Sequence, residues 1–160
     1  MQIIKNGQIT ADETKHLTDD EPPLATRYTV SFARWKAEKA SLPATEGLVG
    51  VRLEGGNPLE EIADDLPRLD LVVLEFSSMV DGRAFSQARL LRQRFGYTGE
   101  IRARGNFIRD QIYFLKRVGV NAFEPGRETD LEKLLPALGD FTANYQPAAD
   151  LAETIRSKRG

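Results

Sequence analysis

The 160-residue chain contains no cysteine, which excludes a structural disulfide, a thiolate zinc site, a cysteine-ligated iron-sulfur cluster and a cysteine nucleophile. It has one histidine, His16, so a Ser-His-Asp triad or a multi-histidine metal centre has little to draw on; no cofactor or metal site is expected. Long apolar runs are also missing. Nothing approaches the ~20 residues of a membrane span, and the opening MQIIKNGQIT lacks the apolar core of a signal peptide. A cytoplasmic protein with no membrane contact is expected. The 22 basic and 24 acidic side chains leave a formal charge of -2, so no global field would gather nucleic acid. No aromatic-basic ribonucleoprotein element is present either, and nucleic acid is not an expected partner.

What is present suits one domain with one core. Asn6-Gly7 is a hairpin dipeptide between Ile3-Ile4 and Ile9, and predicts a small N-terminal ribbon. From Ala11 to Pro23 the chain turns acidic and ends in two prolines, which reads as an exposed connection holding His16 as a solvated loop histidine. Tyr28 and Val30 look extended. Ser31 stands where an N-cap belongs, before a helix with Phe32 and Trp35 on its packing side.

After Pro43, strand and helix patterns alternate. Gly47 to Leu53 is β-rich, and Asn57 can cap a following helix from about Leu59 to Leu66, with Pro58 in its first turn. LDLVVLEF, Leu69 to Phe76, is nearly all apolar, as a central parallel strand covered on both faces should be. The helix from Arg83 to Phe95 aligns Ala84, Ala88, Leu91 and Phe95, and Gly96 ends it. Glu100 to Arg104 alternates, with Ile101 and Ala103 against Glu100, Arg102 and Arg104; this resembles a half-covered strand near a sheet edge. Further elements are a helix from Ile108 to Val118, a strand from Val120 to Phe123 and a helix from Asp130 to Leu138. Tyr113 and Phe114 read as packing groups.

The expected fold is therefore α/β, with about four parallel strands alternating with helices. It is either a flavodoxin-like open sheet, the preferred form, or a half-barrel. The N-terminal ribbon and helix (1-42) are expected to pack on the α/β core (43-140), with 141-160 as a C-terminal tail or helix.

In either form a ligand would sit at the carboxyl ends of the strands. Glu54, Glu75, Ser77, Arg104 and Glu124 fall near that end. Asp81 to Arg117 holds nine basic and three acidic residues, a local charge of +6. Arg83 and Ser86 in a helix first turn, with Arg104 at the next strand end, suit a small oxyanion or phosphate. Asp81 and Asp110 are the candidate acids or bases. Arg89, Arg92 and Gln111 complete the anion- or partner-binding candidates.

The run DGRAFSQARLLRQRFGYTGEIRARGNFIRDQIYFLKRVGVNAFEP, Asp81 to Pro125, carries DGR, S-x-A-R-L-L-R, G-Y-x-G-E and D-Q-x-x-F-L. With FARWKAE (Phe32 to Glu38) and GVRL, it resembles the bacterial family called domain of unknown function 934. The resemblance implies a setting in sulfur assimilation, beside sulfite or nitrite reductase and the sulfonucleotide reductases, and an oxidoreductase-linked role in sulfite reduction. It supplies no catalytic residues. The family-like positions are Asp81, Gly82, Arg83, Ser86, Arg89, Gly105, Asp110 and Gln111. Ser77-Ser78-Met79 stands where the family commonly has a proline and an aromatic, and Val118 where cysteine is frequent. A redox role here would therefore use a borrowed cofactor or partner.

Two expectations follow. The first is an accessory protein that docks on sulfite reductase or its electron donor through the arginine-rich helix. The alternative is an oxidoreductase or anion- or nucleotide-binding enzyme acting on a sulfur-assimilation metabolite. A third possibility is a stability factor for the reductase.

Overall fold

The computed structural model describes residues 1–42, 49–76, 82–105, 109–125, 131–132 and 134–136. Its organising element is one sheet of eight strands: β1 (Gln2–Lys5), β2 (Gln8–Ala11), β3 (Lys15–His16), β4 (Tyr28–Ser31), β5 (Val49–Leu53), β6 (Leu71–Phe76), β7 (Glu100–Gly105) and β8 (Ala122–Pro125). Their order is β2-β1-β8-β7-β6-β5-β4-β3. The strands from β3 to β8 are parallel, while β1 joins β8 and β2 joins β1 antiparallel. The expected four strands are the middle of a larger sheet. The ribbon and the segment before the first helix are hydrogen-bonded into that sheet rather than laid upon it. Pairing partners so far apart in sequence leave no local trace.

Strand order decides between the open and the curled form. A doubly wound sheet reverses direction at a switch point. Here each parallel strand adds beside the one before it, without reversal. Right-handed crossovers then put every helix on the same face, and the sheet rolls away from them. Two observations measure the roll. Laid flat, β2 and β3 would be about 34 Å apart at ~4.8 Å per strand. Yet only Asp12, Glu13 and Thr14 connect them, a link that spans at most about 14 Å. The sheet is a curled half-barrel, open between β2 and β3, and the flat flavodoxin-like form does not apply.

The outer face carries α1 (Phe32–Glu38), a 3₁₀ segment (Leu59–Arg68), α2 (Gly82–Gln93) and α3 (Arg109–Arg117). Their apolar sides meet Val51, Leu53, Val72, Leu74, Ile101 and Ala103 in the main core. Ala84, Ala88 and Leu91 are buried there as their spacing predicts. Trp35 is buried too, and its indole N–H donates to Asp65 Oδ2 at 3.0 Å. Residues 131–132 and 134–136 are helical, and Leu134 adds to the core. No helix among the described residues is long and apolar enough to cross a membrane.

Local signals mostly hold. Asn6 and Gly7 take φ of 54° and 82°, a tight hairpin turn between Lys5 and Gln8. Gly96 takes φ of 65° just past α2, where the Tyr97 amide closes the helix end on Leu91 O at 2.8 Å. Three local readings fail. Asn57 does not cap the 3₁₀ segment; its Oδ1 accepts from the Glu54 amide and holds the preceding turn, leaving Pro58 at the N-cap. Phe114 is exposed rather than packed. β7 lies inside the sheet rather than near its edge, so its charged face lines the interior of the curl instead of meeting solvent.

Candidate functional site

That inner face is built by simple alternation. Registered pairs place Leu71, Val73 and Glu75 of β6 beside Glu100, Arg102 and Arg104 of β7, with Ala122 and Glu124 of β8 beyond. On the other side Gly50 and Arg52 of β5 lead to Thr29 of β4 and His16 of β3. Where an eight-stranded curl is ordinarily filled by apolar side chains, this one is filled largely by charge.

The deep half centres on Arg102, which is 0% exposed. Its Nε donates to Glu100 Oε2 at 2.9 Å and its Nη1 to Asp12 Oδ2 and Glu124 Oε1, each at 3.0 Å. Its Nη2 donates to Asp12 Oδ1 at 3.2 Å and lies 2.8 Å from Glu100 Oε2. Lys5 and Arg27 approach the other Glu100 oxygen at 3.1 and 3.2 Å, and Arg27 also meets Asp70. Burial alone would push the carboxyls of Asp12, Glu100 and Glu124 up. Arg102 with Thr14 at Asp12, Arg102 with Arg27 and Lys5 at Glu100, and His16 with Arg102 at Glu124 outweigh burial and hold all three below their ordinary values.

The outer half lies at the carboxyl ends of the strands and forms a closed circuit with one side chain from each parallel strand. Glu124 (β8) receives His16 (β3), whose Nε2 is 3.0 and 3.1 Å from its two oxygens. His16 Nδ1 meets Thr29 Oγ1 (β4) at 2.8 Å, and that hydroxyl accepts from Arg52 Nη1 (β5) at 2.7 Å. Arg52 Nε lies 3.5 Å from Glu75 Oε2 (β6). Glu75 accepts from Arg104 Nη1 (β7) at 2.8 and 3.0 Å, and Arg104 Nε returns to Glu124 Oε2 at 3.1 Å. The His16–Glu124 contact closes the circuit between two strands that share no backbone bonds. In a flat sheet those strands would be about 24 Å apart.

His16 is thus a nearly buried member of a two-residue strand, not a solvated loop residue. Its tautomer follows from its neighbours. Arg52 donates to Thr29 Oγ1, leaving the hydroxyl proton for His16 Nδ1, so a neutral ring carries its proton on Nε2 toward Glu124.

The anticipated anion group does not converge. Arg104 turns to the inner face, whereas α2, which carries Arg83 and Ser86, packs on the outer face. Arg83 is exposed, with its Nη1 beside Gly56. Ser86 and Arg89 are exposed on the same helix. Arg92 is committed to the fold: it donates to the carbonyls of Tyr97, Gly99 and Gly119 at 2.8 to 3.0 Å. Asp110 and Gln111 fall in the first turn of α3, with Gln111 half-buried. Asp81 and Ser77 lie outside the described residues. The +6 stretch therefore divides between an outer stripe and an inner circuit.

Sequence reasoning placed Glu75, Arg104 and Glu124 at the correct end but missed Asp12, His16, Thr29 and Arg52. One signal was available: a lone Glu75 in an otherwise apolar strand, beside a strand whose every second residue is charged, calls for partners of opposite sign.

The model of a family described as "Bacterial protein of unknown function (DUF934)" matches residues 50–155. The matched span carries Arg52, Glu75, Arg102, Arg104 and Glu124; Asp12, His16 and Thr29 precede it. No curated protein matches the chain.

Proposed function

The chain belongs to this bacterial family of unknown function, and on that premise we propose that it is a cytoplasmic accessory protein of assimilatory sulfite reduction. In this reading it docks on sulfite reductase or its electron donor through the solvent face of α2. The observation that carries the docking surface is the exposed stripe of Arg83, Ser86, Arg89 and Gln93, opposite the buried Ala84, Ala88 and Leu91. Arg94 extends it; its contact with Glu60 is a long 3.5 Å with both side chains more than half exposed. Exposed cations of this kind speed encounter with an acidic partner and set salt dependence. The sulfur-assimilation setting rests on the motifs between Asp81 and Pro125.

The experiment is a pull-down of purified sulfite reductase by the wild type and by Arg83→Glu/Arg89→Glu. Arg92 is left intact because it supports the fold. Two reversed charges at a docking rim are expected to weaken binding by about tenfold or more at low salt, the difference fading as salt rises. Equal binding by the two proteins at low salt removes the docking surface.

A second reading, an oxidoreductase or anion-binding enzyme acting on a sulfur-assimilation metabolite, is favoured by the charged circuit on the inner face. That circuit holds partly exposed arginine and carboxylate groups together where ligands of such sheets bind.

A further inference from the structure

We propose that the circuit at the carboxyl end of the inner face is a binding site for a small oxyanion or carboxylate, held by Arg104 and, beside it, Arg52. The inference is independent of the α2 docking surface.

The unused hydrogen-bonding capacity of the circuit points to the ligand's chemistry. Both oxygens of Glu75 are taken by Arg104 and Arg52, and both oxygens of Glu124 by His16, Arg102 and Arg104. Thr29 Oγ1 lies between Arg52 and His16, and both nitrogens of His16 are occupied. On the donor side, Arg104 uses Nε and Nη1, while its Nη2 has no hydrogen-bond partner among the described residues. Arg52 Nη2 donates only to Leu17 O among them, leaving one N–H unused. Among the described residues the donors left over belong to Arg104 and Arg52, so a ligand seated on them accepts hydrogen bonds.

Exposure locates the entrance. The side chain of Arg102 is 0% exposed, those of His16 and Glu124 10%, Arg52 13%, Glu75 22% and Arg104 34%. The least covered group is the one whose pair of donors has no partner among the described residues. Its Nε and Nη1 are pinned by two carboxylates, so Nη2 is pre-aimed rather than flexible, which lowers the ordering cost of binding. The donors that remain are the two N–H groups of Nη2, fixed in the guanidinium plane, which a lysine ammonium would not hold in place.

Charge sets the limits of the ligand. Deep in the curl and at its amino end, Lys5, Arg27 and Arg102 balance Asp12, Asp70 and Glu100. Around the mouth Arg52 and Arg104 pair with Glu75 and Glu124, and the Asp19 and Glu54 carboxylates also act on Arg52. Carboxylates outnumber the two guanidinium groups there, so the mouth takes at most one small anion seated directly on Arg104 and disfavours a polyanion, whose further charges meet Glu75.

Isothermal titration calorimetry of the full chain with sulfate, phosphate, sulfite and acetate, against chloride at equal ionic strength, tests the site. Saturable 1:1 binding of at least one of the four is expected. Arg104→Lys, which keeps the charge but loses the fork, is expected to weaken it at least tenfold, while Arg89→Glu on the outer helix leaves it unchanged. Should Arg104→Lys fail to fold, titrating the wild type while following the Arg104 Nε–H resonance gives the same answer. A shift that saturates with the heat supports the site, and a resonance that does not move overturns it. No saturable binding of any of the four anions overturns the proposal. So does binding that survives Arg104→Lys and disappears in Arg89→Glu, which would place the anion on the outer stripe.

Discussion

Replacing Arg102 by methionine keeps most of the side-chain volume and removes the one group that faces the buried Glu100 and Glu124 and the half-buried Asp12 together. Breaking a buried ion cluster from one side costs about 3–5 kcal/mol, because the partners keep their desolvation without the compensating charge. In a chain of this size each kcal/mol lowers Tm by about 2–4 °C, so a fall of roughly 6–20 °C is expected. Arg102→Lys should lie between, since one ammonium cannot reach Asp12, Glu100 and Glu124 together. The pH dependence identifies the cause. Asp12, Glu100 and Glu124 have folded-state pKa values below their ordinary ones. The stability they contribute is therefore fully present above the unfolded carboxyl range near pH 4 and is lost as pH falls through the depressed folded values. Without Arg102, Asp12 loses its cation and Glu100 and Glu124 keep only Lys5, Arg27, His16 and Arg104 against burial, so the carboxyls take up protons more readily, and protonation relieves part of the defect. Urea unfolding at pH 7 and at pH 4 should then show a large difference between wild type and Arg102→Met that narrows with acid. A loss below about 1 kcal/mol at pH 7, or one that does not change with pH, refutes the reasoning.

Two further outcomes follow from the same geometry. His16→Ala removes the side-chain link between β3 and β8, while Glu124 keeps Arg102 and Arg104. A loss of about 1–2 kcal/mol is expected, with faster hydrogen exchange confined to the Leu17 amide and its neighbours; exchange spread evenly over the sheet would contradict this. Gly105 has φ of 118°, and a Cβ there would strike the Phe76 carbonyl. Gly105→Ala is expected to cost about 1–3 kcal/mol by chemical denaturation, and a neutral result would deny that β6 and β7 approach so closely.

Much of the scaffold was legible because it is local. The Asn6-Gly7 turn, the apolar β6, the buried side of α2 and the Gly96 stop each follow from a few adjacent residues. The alternation of Glu100, Arg102 and Arg104 was also visible, but which face would see water was not. That depends on six strands following one another without reversal, a property of the whole sheet. His16 was hidden for a related reason. Two residues are too few to show a period, and Glu124, which gives the imidazole its role, lies at the far end of the described strands. The candidate site was half legible: Glu75, Arg104 and Glu124 do lie at the carboxyl ends of their strands, but Arg83 and Ser86 do not join Arg104 because two successive elements present their arginines to opposite faces.

The place of β1 carries a consequence for how the molecule is assembled. Its hairpin with β2 needs only Gln2 to Ala11, yet its other neighbour is β8, which lies far along the sequence at Ala122–Pro125. Until β8 arrives, Ile4 lacks the Phe123 it pairs with and Lys5 lacks Ala122. Sequence-distant pairings of this kind slow folding. The hairpin can therefore be complete well before it has a sheet to join, and until β8 pairs with it the Ile4 side of β1 stays an unfinished, apolar edge.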